Sequence, residues 1–235
     1  MITLVGVGHV FELSERVKEA VRTRRPAVVC LELDPARYHA LLNPGEPRKA
    51  PLPYMLLARF QQKMASDFGT EAGDEMMAAG DAAAEIGARV ALIDINAAGM
   101  LGTLWRKMPM RERFKLVFAS FVGLVSSREK METEIESYEA NDVQYLEKVG
   151  EEFPTVKEVL IDGRNRHMAS RIRALAAAHG DILAVVGDGH VPGMLEELRP
   201  LEVEVIRLRE MRGGTLPGPA GRSEYTTSFW IGGPQ

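Results

Sequence analysis

Two histidines near opposite ends of the chain stand in almost the same hexapeptide. Residues 5–10 read VGVGHV and residues 186–191 read VGDGHV, so the copies containing His9 and His190 share five of six positions. Each copy follows an apolar run and precedes a helix-like pattern, which predicts a strand, a glycine turn, a histidine and then a helix. Glycines let the backbone turn tightly and leave space around the side chain that follows. Imidazoles placed in this way can act as bases or as metal ligands.

The repetition favours one shared site for His9 and His190. In an open sheet that contains parallel strands, ligands bind outside the carboxyl ends of those strands. If the two strands are parallel neighbours, both imidazoles lie over the same edge. For either copy alone, the simpler interpretation is a strand-to-helix turn whose imidazole caps a backbone group. The matched pair favours the shared site.

Carboxylates stand at the ends of two further predicted strands. The almost wholly apolar run 27–33 is typical of a strand buried on both faces of a parallel sheet, and Glu32 stands at its carboxyl end. Residues 89–95 predict another strand, which ends with Asp94. Glu75 lies in an alanine-rich helical stretch and is a further candidate. Both strand ends therefore offer acids that could share a site with the histidines.

Strand-like segments and helical patterns alternate along the chain, which predicts an α/β fold with a central mixed sheet flanked by helices. A chain of 235 residues with 46% hydrophobic composition can form one domain over residues 1–235. Residues 97–150 carry no strand signal and predict a helical insertion or cap, whereas residues 202–208 and 225–231 predict outer strands. A possible homodimer arm is indicated by the apolar residues Phe114, Val117, Phe118, Phe121 and Val122.

Composition excludes several classes of protein. The 29 Lys and Arg residues nearly balance the 33 Asp and Glu residues, and no basic run with interleaved aromatics predicts a nucleic-acid surface. Cys30 is the one cysteine, so we expect a reduced thiol and a cytoplasmic location. The N-terminus lacks the pattern of a secretory signal. The longest apolar candidate, residues 117–125, is much shorter than the roughly 20 residues of a membrane-spanning helix.

The motifs, in their order along the chain, resemble those of the TraB/GumN-like superfamily, which includes the pheromone-shutdown proteins and the Tiki metalloproteases. The resemblance covers about residues 2 to 208, and besides the two histidine motifs it rests on LELD at 31–34, GDEM at 73–76, LID at 92–94 and RNxxMA at 164–169. The chain departs from the family pattern at three places, which are Gly8, Gly163 and Ile95-Asn96. The resemblance implies the architecture shared by the TraB, Tiki and erythromycin esterase proteins.

The resemblance also implies an active site. The family's proposed active-site positions fall on His9, Glu32, Arg164 and His190, with Glu75 and Asp94 as neighbours. Tiki-like members are described as divalent-metal-dependent peptidases, so the resemblance implies Mn, Co or Zn bound by His9, Glu32 and His190. The bound ion would make a nucleophile of water, Glu75 or Asp94 would take a proton, and Arg164 would stabilise negative charge on the attacked carbonyl. This predicts a metal-dependent hydrolase of small peptides.

Two other functions stay open. A metal-independent, esterase-like hydrolase would use one histidine as the base on water, with Glu32 orienting it. A non-catalytic protein would bind or sequester a peptide or other small ligand. For single residues there are also plain structural interpretations: Glu32 and Arg164 could form an ion pair in a half-buried crevice, and Arg164 could be an exposed helix arginine.

Overall fold

The computed structural model describes residues 1–8, 13–43, 73–115, 150–212, 216 and 218. His9, residues 116–149 of the predicted insertion and the strand expected at 225–231 lie outside the described residues. The single domain over residues 1–235 and the insertion over residues 97–150 therefore stay predictions.

Five strands form one sheet in the order β3-β2-β4-β1-β5. They are β1 (Ile2–Val7), β2 (Val28–Leu31), β3 (Arg89–Leu92), β4 (Ile182–Gly187) and β5 (Val203–Ile206). Every pairing among these strands is parallel. The expected α/β fold is confirmed. A mixed sheet was expected, but the described strands are all parallel. Each strand is followed by a helix, and the connection returns the chain to the edge of the sheet at which the strand began.

Eight α-helices occur in the described part of the chain. They are α1 (Ser14–Arg24), α2 (Pro35–Leu42), α3 (Asp74–Ile86), α4 (Ala97–Lys107), α5 (Pro154–Lys157), α6 (Gly163–His179), α7 (Val191–Leu198) and α8 (Leu208–Arg212). A π-helical turn, Glu158–Asp162, precedes α6, and a 3-10 turn, Asp188–His190, precedes α7. None of the described helices combines the length and the apolar character that crossing a bilayer requires.

The helices cover both faces of the sheet. Apolar residues of α1, α3 and α8 pack in one core cluster with Val5, Val29 and Val185 of the strands. Apolar residues of α6 and α7 pack in a second cluster with Leu4 and Ala184. Neighbouring residues of a strand thus enter opposite layers, as the alternation of side chains along a strand requires. This double coverage explains why the strands are apolar on both sides.

The two strands that carry the histidine motifs are direct neighbours. In the parallel pairing of β1 and β4, Gly6 lies opposite Val186 and Val7 lies opposite Gly187. Both strands therefore end at the same carboxyl edge of the sheet. The register is offset by one residue between the two copies, since the first glycine of the second copy lies opposite the valine that follows Gly6.

Candidate functional site

Four of the six predicted site residues come together at the carboxyl edge of the sheet. Glu32 follows β2, Asp94 follows β3, and His190 lies in the turn after β4, while Arg164 is in the first turn of α6. Their side chains are all largely buried. The chain therefore assembles the site from three strand ends and one helix start, which lie far apart in the sequence.

The guanidinium of Arg164 is the centre of this cluster. Nε donates to Asp94 Oδ1 at 3.0 Å, and Nη2 donates to Asp94 Oδ2 at 2.7 Å, which gives a bidentate ion pair. Nη2 also donates to Glu32 Oε1, and Nη1 lies 2.9 Å from His190 Nε2. Arg164 is thus a buried arginine that contacts all three of the other site residues, rather than an exposed helix arginine.

Charge and burial act in opposite directions on these groups. Burial alone would raise the pKa of the Glu32 carboxyl, but His190 in its protonated form, the Arg164 guanidinium and the amide of Gly187 outweigh it and hold this pKa well below its ordinary value. The Gly187 N–H donates to Glu32 Oε2 at 2.6 Å. Burial likewise would lower the pKa of Arg164, but Glu32 and Asp94 raise it above its ordinary value. Glu32 therefore stays ionised and Arg164 stays charged near neutral pH.

A second arginine, Arg37 in α2, binds the cluster from the side of β2. Its Nε donates to Asp34 Oδ2 at 2.9 Å, and its Nη2 donates to the Asp94 carboxylate and to the Glu32 carbonyl, the latter at 3.2 Å. Asp94 therefore accepts from two guanidinium groups, and it also accepts from the Ile95 N–H at 2.8 Å. Asp94 holds both arginines in place.

Asp34 connects this arginine to the backbone. It is the N-cap of α2, where Oδ1 accepts from the N–H groups of Ala36 and Arg37 at 2.9 and 3.2 Å. Oδ2 accepts from the Ala97 N–H at the start of α4 at 3.2 Å. Burial opposes ionisation, but these backbone and side-chain donors lower the pKa of Asp34 below its ordinary value. One buried carboxylate thus fixes the positions of α2 and α4 beside the site.

His190 is held through both ring nitrogens. Besides the contact between Nε2 and Arg164, Nδ1 lies 2.7 Å from Asn165 Oδ1. Nε2 also lies 3.3 Å from Glu32 Oε1. Asn165 is buried and follows Arg164 directly in α6, so one turn of helix supplies a contact to each nitrogen of the ring.

Asp188, the variable position of the second hexapeptide, is a structural anchor. Its carboxylate accepts from Arg207 Nε at 2.9 Å, from Arg207 Nη2 at 2.7 Å and from the Leu208 N–H at 2.8 Å. A Cβ added at Gly6 would lie 2.1 Å from Asp188 Oδ1. Position 6 therefore has to be a glycine, because the Asp188 carboxylate occupies the space that a side chain would need.

The sequence interpretation missed Asp34, Arg37 and Asn165 as residues of the site. Asp34 and Arg37 follow Glu32 within five positions, and an acid directly before Pro35 was a recognisable capping signal. Asn165 belongs to the RNxxMA motif at 164–169, but the motif alone does not indicate that Asn165 contacts His190. Glu75 is buried in the first turn of α3, and its part in the site stays a prediction. The role of His9 also stays a prediction, supported by the parallel register of β1 and β4.

The spacing of two donor atoms fits a divalent ion. Glu32 Oε1 and His190 Nε2 are 3.3 Å apart. Two ligands bound at about 2.1 Å to one tetrahedral or octahedral ion lie about 3.0 to 3.4 Å from each other. The same atoms contact Arg164, so an ion would replace these contacts. Within the described ranges no three His, Cys, Asp or Glu residues form a group that could hold an ion, and the third predicted donor, His9, lies outside those ranges.

The fold and this cluster define an α/β protein with a buried ionic centre at the carboxyl edge of a parallel sheet. The chain belongs to the TraB/PrgY/gumN family, whose model matches residues 1–205. The resemblance drawn from the motifs is thereby confirmed. The chain is also 31% identical, over 237 aligned positions, to an uncharacterized protein of Methanocaldococcus jannaschii. That alignment covers 90% of this chain and 58% of the relative, so the chain spans little more than half the length of the curated relative that it matches.

Proposed function

We propose that this chain is a metal-dependent hydrolase that acts on small peptides, with Glu32, His190 and His9 as the ligands of a divalent ion. The observation that carries the proposal is the 3.3 Å separation of Glu32 Oε1 and His190 Nε2. The parallel register supports His9 as the third ligand, because β1 ends beside β4 at the same edge. Two imidazoles and one carboxylate suit zinc, manganese or cobalt.

The residues around the ion site have separate roles in this proposal. Glu32, His190 and His9 would hold the ion, which would supply activation of water and polarisation of a carbonyl. Arg164, held on its other side by Asp94, supplies N–H groups that stabilise negative charge on the attacked oxygen. Both oxygens of Asp94 already accept hydrogen bonds, which suits this residue to orienting Arg164. Of the two predicted proton acceptors, Glu75 is then the one that receives the proton.

The contacts of Arg164 favour a second candidate. Its guanidinium already bridges Glu32 Oε1 and His190 Nε2, as a cation at this place would do. A metal-independent hydrolase could therefore use Arg164 for charge stabilisation and His190 as the base on water, with Glu32 orienting it. This candidate is an esterase-like hydrolase that needs no metal.

The test compares metal content and turnover of a peptide library. Protein purified without added metal is analysed for bound ions, and turnover is measured before and after chelation for wild type, Glu32→Gln and His190→Ala. His179→Ala is the matched control, because His179 is exposed at the end of α6. The metal-dependent hydrolase predicts turnover that chelation and both site variants abolish and that the control retains. Turnover that survives chelation supports the second candidate. Peptide binding with zero turnover in every variant supports a non-catalytic binding protein and overturns both.

We also propose a cytoplasmic location and a homodimer. The location rests on the buried, unpaired thiol of Cys30. The dimer rests on exposed apolar side chains, namely Phe114 of the predicted arm and Trp105 and Met110 shortly before it in the chain. Light scattering at several concentrations tests the dimer, and a monomer mass at every concentration would exclude it.

A further inference from the structure

The two hydrogen-bond contacts of the His190 ring define which nitrogen carries its proton. A guanidinium only donates hydrogen bonds, so the 2.9 Å contact with Arg164 Nη1 requires a lone pair on His190 Nε2. The proton of the neutral ring must then be on Nδ1, which lies 2.7 Å from Asn165 Oδ1. An amide oxygen only accepts. Both contacts therefore require the same tautomer, with the proton on Nδ1.

Asn165 is itself held in place by the next helix. Its amide lies over Gly193 of α7, where an added Cβ would be 2.2 Å from Asn165 Nδ2 and 3.2 Å from its Cγ. Side chains of α6 and α7 pack in the same core cluster, so the backbone at Gly193 cannot move away freely. Glycine at this position lets α7 approach closely enough to support the amide.

We propose that Asn165, supported by Gly193, is a positioning residue that holds His190 in the Nδ1–H tautomer. The Nε2 lone pair then faces Arg164 Nη1, and Glu32 Oε1, which accepts from the same guanidinium, lies 3.3 Å from Nε2. A histidine that binds a metal or takes a proton is commonly oriented through a hydrogen bond from its other nitrogen. The tautomer itself does not depend on the proposed function, whereas its use in binding an ion rests on that function.

Nitrogen-15 NMR of histidine-labelled protein at pH 7.5 measures the tautomer directly. The chain has five histidines, and the His190 signals are those that His190→Gln removes. We expect wild-type Nδ1 to be the protonated nitrogen and Nε2 the unprotonated one. A wild-type ring that is protonated on Nε2 overturns the proposal. This spectrum needs no substitution at Asn165, so the proposal can be tested even if such variants fail to fold.

Variants separate positioning from packing. Asn165→Asp keeps an oxygen acceptor and is expected to retain the tautomer, whereas Asn165→Leu and Gly193→Ala are expected to give a mixture of both tautomers. Gly102→Ala is the matched control, because an added Cβ meets no described atom within 4 Å there. A pure Nδ1–H tautomer in folded Asn165→Leu overturns the proposal.

Zinc binding provides a readout that separates this proposal from the proposed function. We expect Asn165→Leu to weaken zinc binding about 10- to 100-fold, the range for removal of a residue that orients a ligand, and Asn165→Asp to restore most of it. If wild type shows the expected tautomer but binds no zinc, the metal-dependent function fails and the positioning role stands. If wild type binds zinc and Asn165→Leu binds it equally well, the positioning role in ion binding fails alone.

Discussion

Gly6 and Asp188 belong to different copies of the repeated hexapeptide and are packed against each other. The carboxylate of Asp188 occupies the space that a side chain at position 6 would need, and Arg207 and Leu208 hold that carboxylate there. The two copies are thus related by packing as well as by their histidines. Asp188 stands at the one position where the two hexapeptides differ, and its carboxylate explains why position 6 is a glycine.

Gly6→Ala is expected to lower the free energy of unfolding by about 1 to 3 kcal/mol, since the new methyl group would overlap Asp188 Oδ1 in a buried strand. Urea denaturation measures the change. Gly80→Ala is the matched control in α3, where the added Cβ meets no described atom within 4 Å. There the higher helix propensity of alanine should stabilise the protein by up to about 1 kcal/mol. A loss of similar size in both variants would contradict the steric explanation.

Arg164→Met is expected to destabilise the protein by about 3 to 5 kcal/mol, because it leaves the buried carboxylate of Glu32 without its guanidinium partner and Asp94 with Arg37 alone. Arg166→Met, two residues along the same helix, is the control. The Arg166 side chain is 51% exposed and pairs with the half-exposed Glu158, so its loss should cost at most about 1 kcal/mol. Chemical denaturation of both variants at pH 7 provides the comparison, and equal losses would show that the buried cluster adds nothing specific.

Asp34→Asn tests the lowered pKa of Asp34 while keeping an N-cap side chain on α2. Because this pKa is lower in the folded protein than its ordinary value of 3.8, the stabilisation by the charged form is complete above 3.8 and is lost as the pH falls through the lowered value. At pH 6 the variant should be less stable by roughly 1 to 3 kcal/mol, the range for hydrogen bonds to a charged group. The difference in the free energy of unfolding between wild type and the variant should stay constant between pH 5 and 7. It should shrink at pH values below about 3.8. A difference that grows in acid would contradict the assignment.

Cys30 is expected to resist thiol reagents in the folded protein. Its side chain is fully buried in β2, and burial raises the pKa of the thiol from 9.0 to about 12. At pH 8 only about one thiol in 10⁴ would then be ionised, and the thiolate is the reactive form. Modification by a disulfide reagent should therefore be slow in buffer and rapid and stoichiometric in concentrated urea. Rapid stoichiometric labelling of the native protein would show that β2 is accessible.

The features that could be predicted from the sequence are those that depend on neighbouring residues. Apolar runs predicted four of the five described strands to within a few residues, and alternating apolar and charged residues at 202–208 predicted the fifth. The alternation of strands with helical patterns predicted the α/β fold. The positions of Glu32 and Asp94 at strand ends were enough to place both acids at the edge where His190 lies. A parallel sheet brings together all residues that follow its strands, whatever their separation in the chain.

The features that could not be predicted depend on which elements become neighbours. Nothing local to Asn165 indicates that it faces His190, because that contact requires α6 and α7 to pack closely over Gly193. Likewise, Arg37 becomes part of the site only because β2 and β3 are adjacent and place Asp94 within its reach. Sequence patterns predict elements well, but the partners of a buried polar side chain are decided by tertiary packing.

The central position of β4 determines when the sheet can be completed during synthesis. β1 and β2 are made first, but they share no edge, because β4 lies between them. A nascent chain that still lacks residues 182–187 therefore leaves two apolar strands with unsatisfied edges for a chaperone to protect. A protein truncated before β4 should aggregate, whereas synthesis of residues 182–187 supplies the strand that fills the gap between β1 and β2.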